Sequence, residues 1–189
     1  MTEAIETEHL RLLPISSEHV AAFFRSRSEL TALIGASVPD DWPVCPESMA
    51  YWREKSDRLQ EAAGWAGYLY IHKSDGTVVG DGGFKGPPNA RGTVEMGYAV
   101  VPAYRNRGLA NEAAQALLDW AFKHREVNYV TAETLPQGKE SMRVVEKLGM
   151  AFQGVRTDPE EGGVFLWRLS RQEYNTPRTP PETDGCPFS

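Results

Sequence analysis

Two arginines and a glycine stand immediately before a predicted amphipathic helix, in the stretch Tyr104–Ala114. The first backbone N–H groups of a helix lack internal partners and carry partial positive charge. Gly108 permits an unusual backbone conformation, and the small side chain of Ala110 leaves these N–H groups accessible. Arg105 and Arg107 add two permanent positive charges. This spacing predicts a site for a phosphate-bearing ligand.

The motif around Gly108 differs from the common glycine-rich phosphate loops. The sequence contains neither Gly-x-Gly-x-x-Gly nor Gly-x-x-x-x-Gly-Lys-Ser/Thr. Instead, Arg105-x-x-Gly108-x-Ala110 resembles the acetyl-CoA signature, Arg/Gln-x-x-Gly-x-Gly/Ala, of the GNAT superfamily of N-acetyltransferases. The flanking stretches Glu95–Pro102 and Ser141–Met150 resemble the branch that includes ribosomal-protein N-terminal (alanine) acetyltransferases. The resemblance extends over roughly residues 8–170.

The resemblance implies that acetyl-CoA is the co-substrate and that its pyrophosphate binds at the start of this helix. It also implies that the fourth strand of the sheet diverges from the fifth and offers unpaired backbone groups to the pantetheine arm. Pro102 fits such an interrupted edge. Arg143, or alternatively Lys139, would meet the 3′-phosphate of CoA. The cofactor-binding candidates are Val100, Val101, Arg105, Asn106, Arg107, Gly108, Leu109, Ala110, Asn111 and Arg143.

Amide formation from a thioester needs a group or a water chain that accepts a proton from the attacking ammonium. Glu95 is the candidate for this catalytic base, because it lies in the middle of a predicted strand, where carboxylates are disfavoured. The resemblance also implies a glutamate near this position that serves as the base, directly or through water. The alternative is a strand glutamate that faces solvent or pairs with a lysine.

Ser141 is the catalytic candidate for protonating the leaving thiolate, since the resemblance implies a serine near the CoA sulfur. The alternative is a serine near a helix N-terminus that hydrogen-bonds the backbone. The sequence departs from the family pattern three residues earlier, where Gly138 stands in place of the usual asparagine. Either Gln137 or a backbone group then binds the pantetheine arm, or that contact is lost.

The candidates for acceptor binding begin with the loop that follows the first predicted helix. Trp42 lies there between prolines, and Asp41 beside it would attract a cation. The resemblance places the acceptor near this loop. Trp52 is a further substrate-binding candidate, although tryptophans belong to the core more often than to a pocket. If this loop does not admit the amine, Glu47–Trp52 or the Asp158–Gly163 hairpin is the alternative wall.

These motifs predict transfer of an acetyl group from acetyl-CoA to a primary amine, either a protein N-terminus or a small molecule. We expect direct attack in a ternary complex, because neither Cys45 nor Cys186 lies near the motifs to carry an acyl intermediate. The alternative is a non-catalytic acyl-CoA-binding or sensing module on the same fold, which the glycine at position 138 makes credible.

Composition argues against several other classes of protein. A net charge of −6 argues against nucleic acid as the main partner. The two cysteines have no pairing or metal-ligand spacing and the four histidines are scattered, so we expect reduced thiols and no metal. No signal peptide and no apolar run of roughly 20 residues is visible, so we expect a cytoplasmic protein without membrane attachment. The oligomeric state stays open, a homodimer included.

The elements that must position these residues follow from apolar periodicity. Strands are predicted at 9–14, 65–72, 77–84, 93–101, 129–135, 151–156 and 164–169, and helices from Ser16 or Ser17, at 47–63, at 109–124 and at 139–148. This order predicts an α+β fold. The resemblance refines it to a GNAT-like, mostly antiparallel central sheet of about seven strands with about four flanking helices, splayed between the fourth and fifth strands. We expect a single acetyltransferase domain over 1–175 and a proline-rich C-terminal tail over 176–189.

Overall fold

The computed structural model describes residues 3–55, 64–158 and 162–176. Its strands are β1 (Ile5–Glu6), β2 (Leu10–Pro14), β3 (Gly67–His72), β4 (Thr77–Phe84), β5 (Thr93–Val100), β6 (Tyr129–Thr134), β7 (Ala151–Asp158) and β8 (Gly162–Ser170). They form one open sheet in the order β1-β2-β3-β4-β5-β6-β8-β7. Neighbouring strands are antiparallel except β5 and β6, which run parallel.

Six α-helices accompany the sheet within these ranges. Ser16 caps the first helix, because its hydroxyl accepts a hydrogen bond from the backbone N–H of His19. Ser26 separates the first helix from the second and caps the second in the same way. Gly35 ends the second helix with a left-handed φ of 68°. The helices are α1 (Ser17–Arg25), α2 (Arg27–Ile34), α3 (Pro46–Glu54), α4 (Leu109–Lys123), α5 (Lys139–Lys147) and α6 (Arg171–Asn175).

The predicted fold class is confirmed, because the sheet is mixed, mostly antiparallel and covered by helices. Three strands or α-helices of the described chain were not predicted, namely β1, α2 and α6. β1 and α6 are too short to show a periodic pattern, and α2 follows α1 after a single residue. Most of the predicted 47–63 helix beyond Glu54, the tail after residue 176 and part of the 158–163 hairpin lie outside the described residues. The single domain over 1–175 stays a prediction.

Helices cover both faces of the sheet. A side chain on Gly67 would collide with the indole of Trp52 on α3. The ring of the next residue, Tyr68, lies 6.4 Å from that of Trp120 on α4. Successive residues of a strand face opposite sides, so α3 and α4 pack on opposite faces. On the α4 face, the rings of Trp65 and Trp120 lie 4.6 Å apart within the aromatic part of the core.

The parallel pairing of β5 with β6 is short. It extends only from Thr93 and Tyr129 to Met96 and Ala132, whereas β5 stays paired with β4 as far as Val100. The last four residues of β5 therefore leave β6, which pairs with β8 on its other side. When the two-residue β1 is not counted, β5 and β6 are the fourth and fifth strands, so the predicted splay between them is confirmed. This gap in the sheet lies where α4 and α5 begin.

Candidate active site

The first cavity, of about 260 Å³, lies between the start of α4 and the side of α5. Asn106 and Gly108 are both left-handed, with φ of 58° and 81°, and they turn the chain so that Gly108 is the N-cap of α4. A Cβ on Gly108 would meet no atom within 4 Å, so the backbone is open on this side. The first cavity thus presents a helix N-terminus with an unobstructed approach, which is the arrangement that binds phosphate groups.

Positive charge reaches the first cavity from two elements. Arg105 lines it from the loop before α4, and its Nε donates to the carbonyl of Val100 at 3.0 Å. Arg143 and Lys147 line it from α5, together with one carboxylate, Glu140. Three cations therefore face one anion, and the balance favours a negatively charged ligand.

Other members of the predicted motif are placed differently. Arg107 does not line the first cavity, because its guanidinium stacks over Tyr104 at 4.7 Å from the ring centre. The side chain of Leu109 is buried in the core, so this residue offers its backbone to the cavity, as does Ala110. Asn111 lines the cavity, and its Oδ1 is buried without a hydrogen-bond partner. Its amide can therefore turn and donate its Nδ2 to a phosphate oxygen.

The gap between β5 and β6 extends the first cavity into the second cavity, of about 290 Å³. Val100 and Ala110 line both cavities. The N–H of Val101 donates to Val79 on β4 at 2.9 Å, so this predicted ligand-binding amide is committed to the sheet. Backbone groups of successive strand residues point to opposite edges. The N–H and C=O groups of Tyr98 and Val100 therefore face the gap.

Ser141 lines the second cavity from the first turn of α5. Its carbonyl accepts a hydrogen bond from the Tyr98 hydroxyl at 3.0 Å, which ties α5 to β5 across the gap. Burial raises the pKa of this hydroxyl, so it stays protonated and remains a donor. Gly138 precedes α5 and gives it no side-chain cap. The second cavity therefore lacks the amide that the family pattern carries at this position.

The third cavity, of about 550 Å³, lies between α3 and the strands β4 and β5. It shares Cys45, Tyr98 and Ala99 with the second cavity. The three cavities consequently form one groove, which passes through the gap from the α4 face of the sheet to the α3 face. The expectation that neither cysteine lies near the motifs is therefore wrong for Cys45, because the fold brings the loop before α3 to the site from a distant part of the sequence.

Trp52, a predicted substrate-binding residue, lies in the wall of the third cavity. The strands contribute four glycines to the wall, namely Gly67, Gly82, Gly83 and Gly97.

Asp81 on β4 lies in the wall of the third cavity and is only 3% exposed. Its Oδ1 accepts a hydrogen bond from the indole Nε1 of Trp42 at 2.8 Å, and its Oδ2 accepts a longer one from the Ser48 hydroxyl at 3.4 Å. Burial raises the pKa of this carboxyl to about 7, and the two hydrogen bonds offset part of the rise. A carboxyl with this pKa beside a cavity is suited to exchange protons near neutral pH.

Asp81 and Tyr98 are the site residues that the sequence patterns missed. The local signal at Asp81 is a carboxylate in an otherwise apolar strand, between Gly80 and Gly82. Its partner Trp42 lies 39 residues away in sequence, so no local pattern connects the two.

Glu95 lies on the same face of β5 as Gly97 and Ala99, which line the third cavity. Glu95 does not line this cavity, and its carboxylate forms an ion pair with Lys85, which does. This is the lysine-paired arrangement that stood as the alternative for a strand glutamate. The side chain is 31% exposed, so water reaches it.

Trp42 and Asp41 lie behind the groove rather than in it. The indole of Trp42 is fully buried and meets the third cavity through its hydrogen bond to Asp81. Asp41 lines a separate cavity of about 400 Å³ that shares no lining residue with the groove. Arg27 holds this loop by donating to three of its backbone carbonyls. Of the three predicted acceptor-binding residues, the structure brings Trp52 directly to the groove.

The groove fits a long ligand with an anionic end. The open backbone at Gly108 and the amide of Asn111, turned so that its Nδ2 donates, fit a pyrophosphate, and the strand edge at Tyr98 and Val100 fits the pantetheine arm. Among the residues that the structure describes, no group of three or more His, Cys, Asp or Glu side chains could hold a metal ion. No helix in the same part of the chain is long and apolar enough to cross a membrane.

Comparison with known families agrees with this groove. Residues 9–151 match the model of the acetyltransferase (GNAT) domain. Because this match extends over more than half of the chain, the protein belongs to the GNAT acetyltransferase family. Members of this family transfer acyl groups from acetyl-CoA.

Individual relatives support the same family. The uncharacterized N-acetyltransferase YjdG of Bacillus subtilis is 29% identical over 147 residues, which is 77% of this chain and 88% of the relative. The ribosomal-protein-S5-alanine acetyltransferase of Vibrio fischeri superposes with a TM-score of 0.67 at 16% identity, over 92% of this chain and 99% of that one. RimL, a ribosomal L7/L12 α-N-protein acetyltransferase in complex with coenzyme A, also gives a TM-score of 0.67 at 16% identity, over 90% and 99%. These structural likenesses show the fold, and they are consistent with the branch that the motifs resemble.

Proposed function

We propose that the protein transfers the acetyl group of acetyl-CoA to a primary amine by direct attack in a ternary complex. The observation that carries this proposal is the continuous groove, which joins the open start of α4 to an apolar cavity on the other face of the sheet. Donor and acceptor can approach each other from its two ends. The acceptor is a protein N-terminus, as for the ribosomal-protein acetyltransferases, or a small amine, and the proposed compartment is the cytoplasm.

Each part of acetyl-CoA has a proposed place in the groove. The pyrophosphate binds the backbone N–H groups of Gly108–Asn111, with Arg105 beside them. Arg143 binds the 3′-phosphate from α5. The pantetheine arm pairs with the backbone groups of Tyr98 and with the N–H of Val100, which face the gap, as an added strand would.

The chemistry takes place where the second and third cavities meet, beside Tyr98 and Ala99. The amine loses a proton and attacks the thioester carbonyl carbon, the C–S bond breaks and the CoA thiolate leaves. Ser141 lines the second cavity and is proposed to protonate that thiolate. Glu95 is proposed to act through water, by helping to carry the amine's proton out to solvent, because Lys85 holds its carboxylate and water reaches it.

A non-catalytic acyl-CoA-binding or sensing module is the second candidate. The observation that favours it is Gly138, which leaves the arm of CoA without the family's amide contact. The two candidates differ in whether an amine is consumed.

Steady-state release of CoA from acetyl-CoA, measured with a panel of N-terminal peptides and small primary amines, separates these two functions. The proposed enzyme releases CoA at a rate that depends on both substrates, with the intersecting double-reciprocal lines of a ternary complex. Calorimetry measures acetyl-CoA binding in parallel. Tight binding without amine-dependent release from any member of the panel would favour the module.

A further inference from the structure

We infer, resting on that function, that the third cavity is the acceptor site, and that Asp81 binds the ammonium group of an amine with an apolar stem and accepts its proton. Among the described residues, Asp81 is the buried carboxylate in the wall of this cavity. The carboxylates Glu95 and Asp41 lie outside the cavity wall.

The position of Asp81 relative to the thioester supports this assignment. Asp81 is the direct cross-strand neighbour of Ala99, and Ala99 lines both the second and the third cavity. Side chains at such antiparallel positions have Cβ atoms about 4.5–5.5 Å apart. An ammonium bound to Asp81 therefore lies beside the point where the arm of acetyl-CoA reaches the third cavity.

The hydrogen bonds of Asp81 fix one oxygen and leave the other available. The indole of Trp42 holds Oδ1 at 2.8 Å from behind the cavity wall. Oδ2 has its contact with the Ser48 hydroxyl at 3.4 Å, longer than a usual hydroxyl hydrogen bond. An ammonium group can bind Oδ2 without displacing Trp42, which makes Trp42 a positioning residue for the carboxylate.

The rest of the wall indicates the class of amine. Tyr51 and Trp52 supply aromatic surface, and Gly97 leaves room beside it, because a Cβ there would meet no atom within 4 Å. The other charged groups of the wall, Glu47 and Lys85, are exposed at its rim. A stem rich in charged or polar groups would lose its water here without finding partners, so an apolar stem fits best.

The titratable groups around Asp81 do not compete for its proton. Tyr70 lies close enough to Asp81 to interact with it electrostatically, and Tyr98 lines the same cavity. Burial raises the pKa of both hydroxyls, so both stay neutral. Burial also raises the pKa of the Asp81 carboxyl to about 7, and the hydrogen bonds from Trp42 and Ser48 offset part of that rise. Near neutral pH the carboxyl therefore exists in both protonation states, as proton exchange requires.

The transfer then balances as follows. The ammonium gives one proton to Oδ2 of Asp81, and the neutral amine forms a C–N bond to the thioester carbonyl carbon. The C–S bond breaks with its electron pair, the Ser141 hydroxyl protonates the CoA thiolate, and the second proton of the nitrogen replaces the proton that Ser141 gave. Asp81 returns its proton to solvent when the amide leaves. One ammonium and one acetyl-CoA yield one amide, one CoA thiol and one released proton.

The first test is amine binding, which needs no turnover. Calorimetry of 2-phenylethylamine with the CoA-loaded protein should show binding that strengthens between about pH 6 and pH 8, since the carboxylate ionises over that range. Asp81→Asn should lose at least about ten-fold in amine affinity and keep its acetyl-CoA affinity. Glu29→Gln makes the same change of net charge on the exposed side of α2 and should leave both unchanged.

Amine affinity in folded Asp81→Asn equal to that of the natural protein would overturn the inference. Tighter binding of spermidine than of 2-phenylethylamine would overturn the assignment of an apolar stem.

The second test is the pH profile of kcat/KM for the amine. In the natural protein, kcat/KM should rise with pH with an apparent pKa near 7. Asp81→Asn should remove this rise and lower kcat/KM by about 10²-fold. Turnover with an unchanged profile in Asp81→Asn would refute Asp81 and leave the proposed function intact. Binding that depends on Asp81 without CoA release would refute the proposed function and the proton transfer, while the amine site would stand.

Discussion

Gly108 and Asp81 owe their roles to their surroundings rather than to residue type alone. Gly35 has the same left-handed conformation and equally open space as Gly108, but it ends α2 instead of beginning α4. Asp81 and Glu95 both lie on strand faces directed to α3, yet one is buried beside an indole and the other is held by a lysine near water. Position in the fold therefore decides what each residue can do.

Gly108→Val should weaken acetyl-CoA binding by at least about ten-fold, or roughly 1.4 kcal/mol, because the isopropyl group covers the N–H groups at the start of α4. A left-handed φ also destabilises an L-residue by roughly 1–2 kcal/mol. Gly35→Val has comparable backbone strain, at φ of 68°, without a ligand nearby, and is the matched control. Calorimetry on both folded variants makes the comparison, and unchanged affinity in Gly108→Val would remove the pyrophosphate site from α4.

Glu95→Gln tests how this carboxylate acts. The substitution keeps the shape of the side chain and removes its charge. If Glu95 acts through water, the rate profile should move to higher pH with a limited loss of maximal rate. A direct base would instead lose about 10²-fold or more at every pH. Measurement of kcat between about pH 6 and pH 10 decides between these outcomes.

Asp81 should also make folding stability depend on pH. Its pKa rises from 3.8 to about 7 in the folded protein, so between these values the folded state binds the proton more strongly than the unfolded state. The free energy of unfolding should fall as pH rises through this window, by at most ~1.4 kcal/mol per pH unit from this group. Asp81→Asn cannot ionise and still accepts from Trp42, so it should lose this contribution. Urea unfolding of both proteins across this pH range measures the difference between their free energies of unfolding. A difference that does not vary with pH would contradict a raised pKa.

The separation of β5 from β6 turns a sheet into a groove. β5 leaves its parallel partner after Met96 and exposes a strand edge inside the molecule. The hydroxyl of Tyr98 reaches across to the backbone of α5 and fixes the width of the gap. On the α3 side, Gly97 keeps space open beneath that helix, because a Cβ there would meet no atom within 4 Å.

Gly97→Val should narrow the third cavity. A Cβ at this position would meet no atom within 4 Å, and φ is not in the left-handed region, so the backbone accepts the change. The added methyl groups occupy space proposed for the amine stem. The affinity for 2-phenylethylamine should fall by about ten-fold while acetyl-CoA binding and stability stay unchanged. Gly97→Ala should give a smaller loss, and unchanged amine affinity in both folded variants would place the stem elsewhere.

Local patterns predicted the long elements and the phosphate motif, because both depend on neighbouring residues. β4 was predicted at its observed bounds, and α4 ends one residue before the predicted position. The third cavity could not be predicted in this way, since α3, β3, β4 and β5 build it from separate parts of the chain. The motif also could not predict that Arg107 stacks on Tyr104, because a sequence motif carries no information on side-chain direction.

At the scale of the whole molecule, α4 is anchored at both ends by distant segments. Near its start, Glu112 accepts hydrogen bonds from the hydroxyl of Thr7 at 2.6 Å and from the backbone N–H of His9 at 2.7 Å. Near its end, Arg171 at the start of α6 donates to the carbonyls of Phe122 and Val127, among others. The chain's two described termini thus hold the helix that presents the phosphate site.

Arg171→Ala should destabilise the protein by about 2–4 kcal/mol, because it leaves several carbonyls at the end of α4 without their charged donor. Arg168→Ala is the matched control. Its guanidinium lies 5.0 Å from the ring of Tyr129 on the exposed side of β8, a contact worth about 0.5–1 kcal/mol. Urea unfolding compares the two variants, and similar losses would show that Arg171 does not anchor α4.

The opening of the groove on both faces of the sheet has a consequence for inhibitor design. Its two halves meet at Tyr98 and Ala99, so one covalent conjugate, with an apolar amine joined to the sulfur of CoA, can fill both at once. Such a conjugate loses translational and rotational freedom once instead of twice, which corresponds to an effective local concentration of roughly millimolar for its second half.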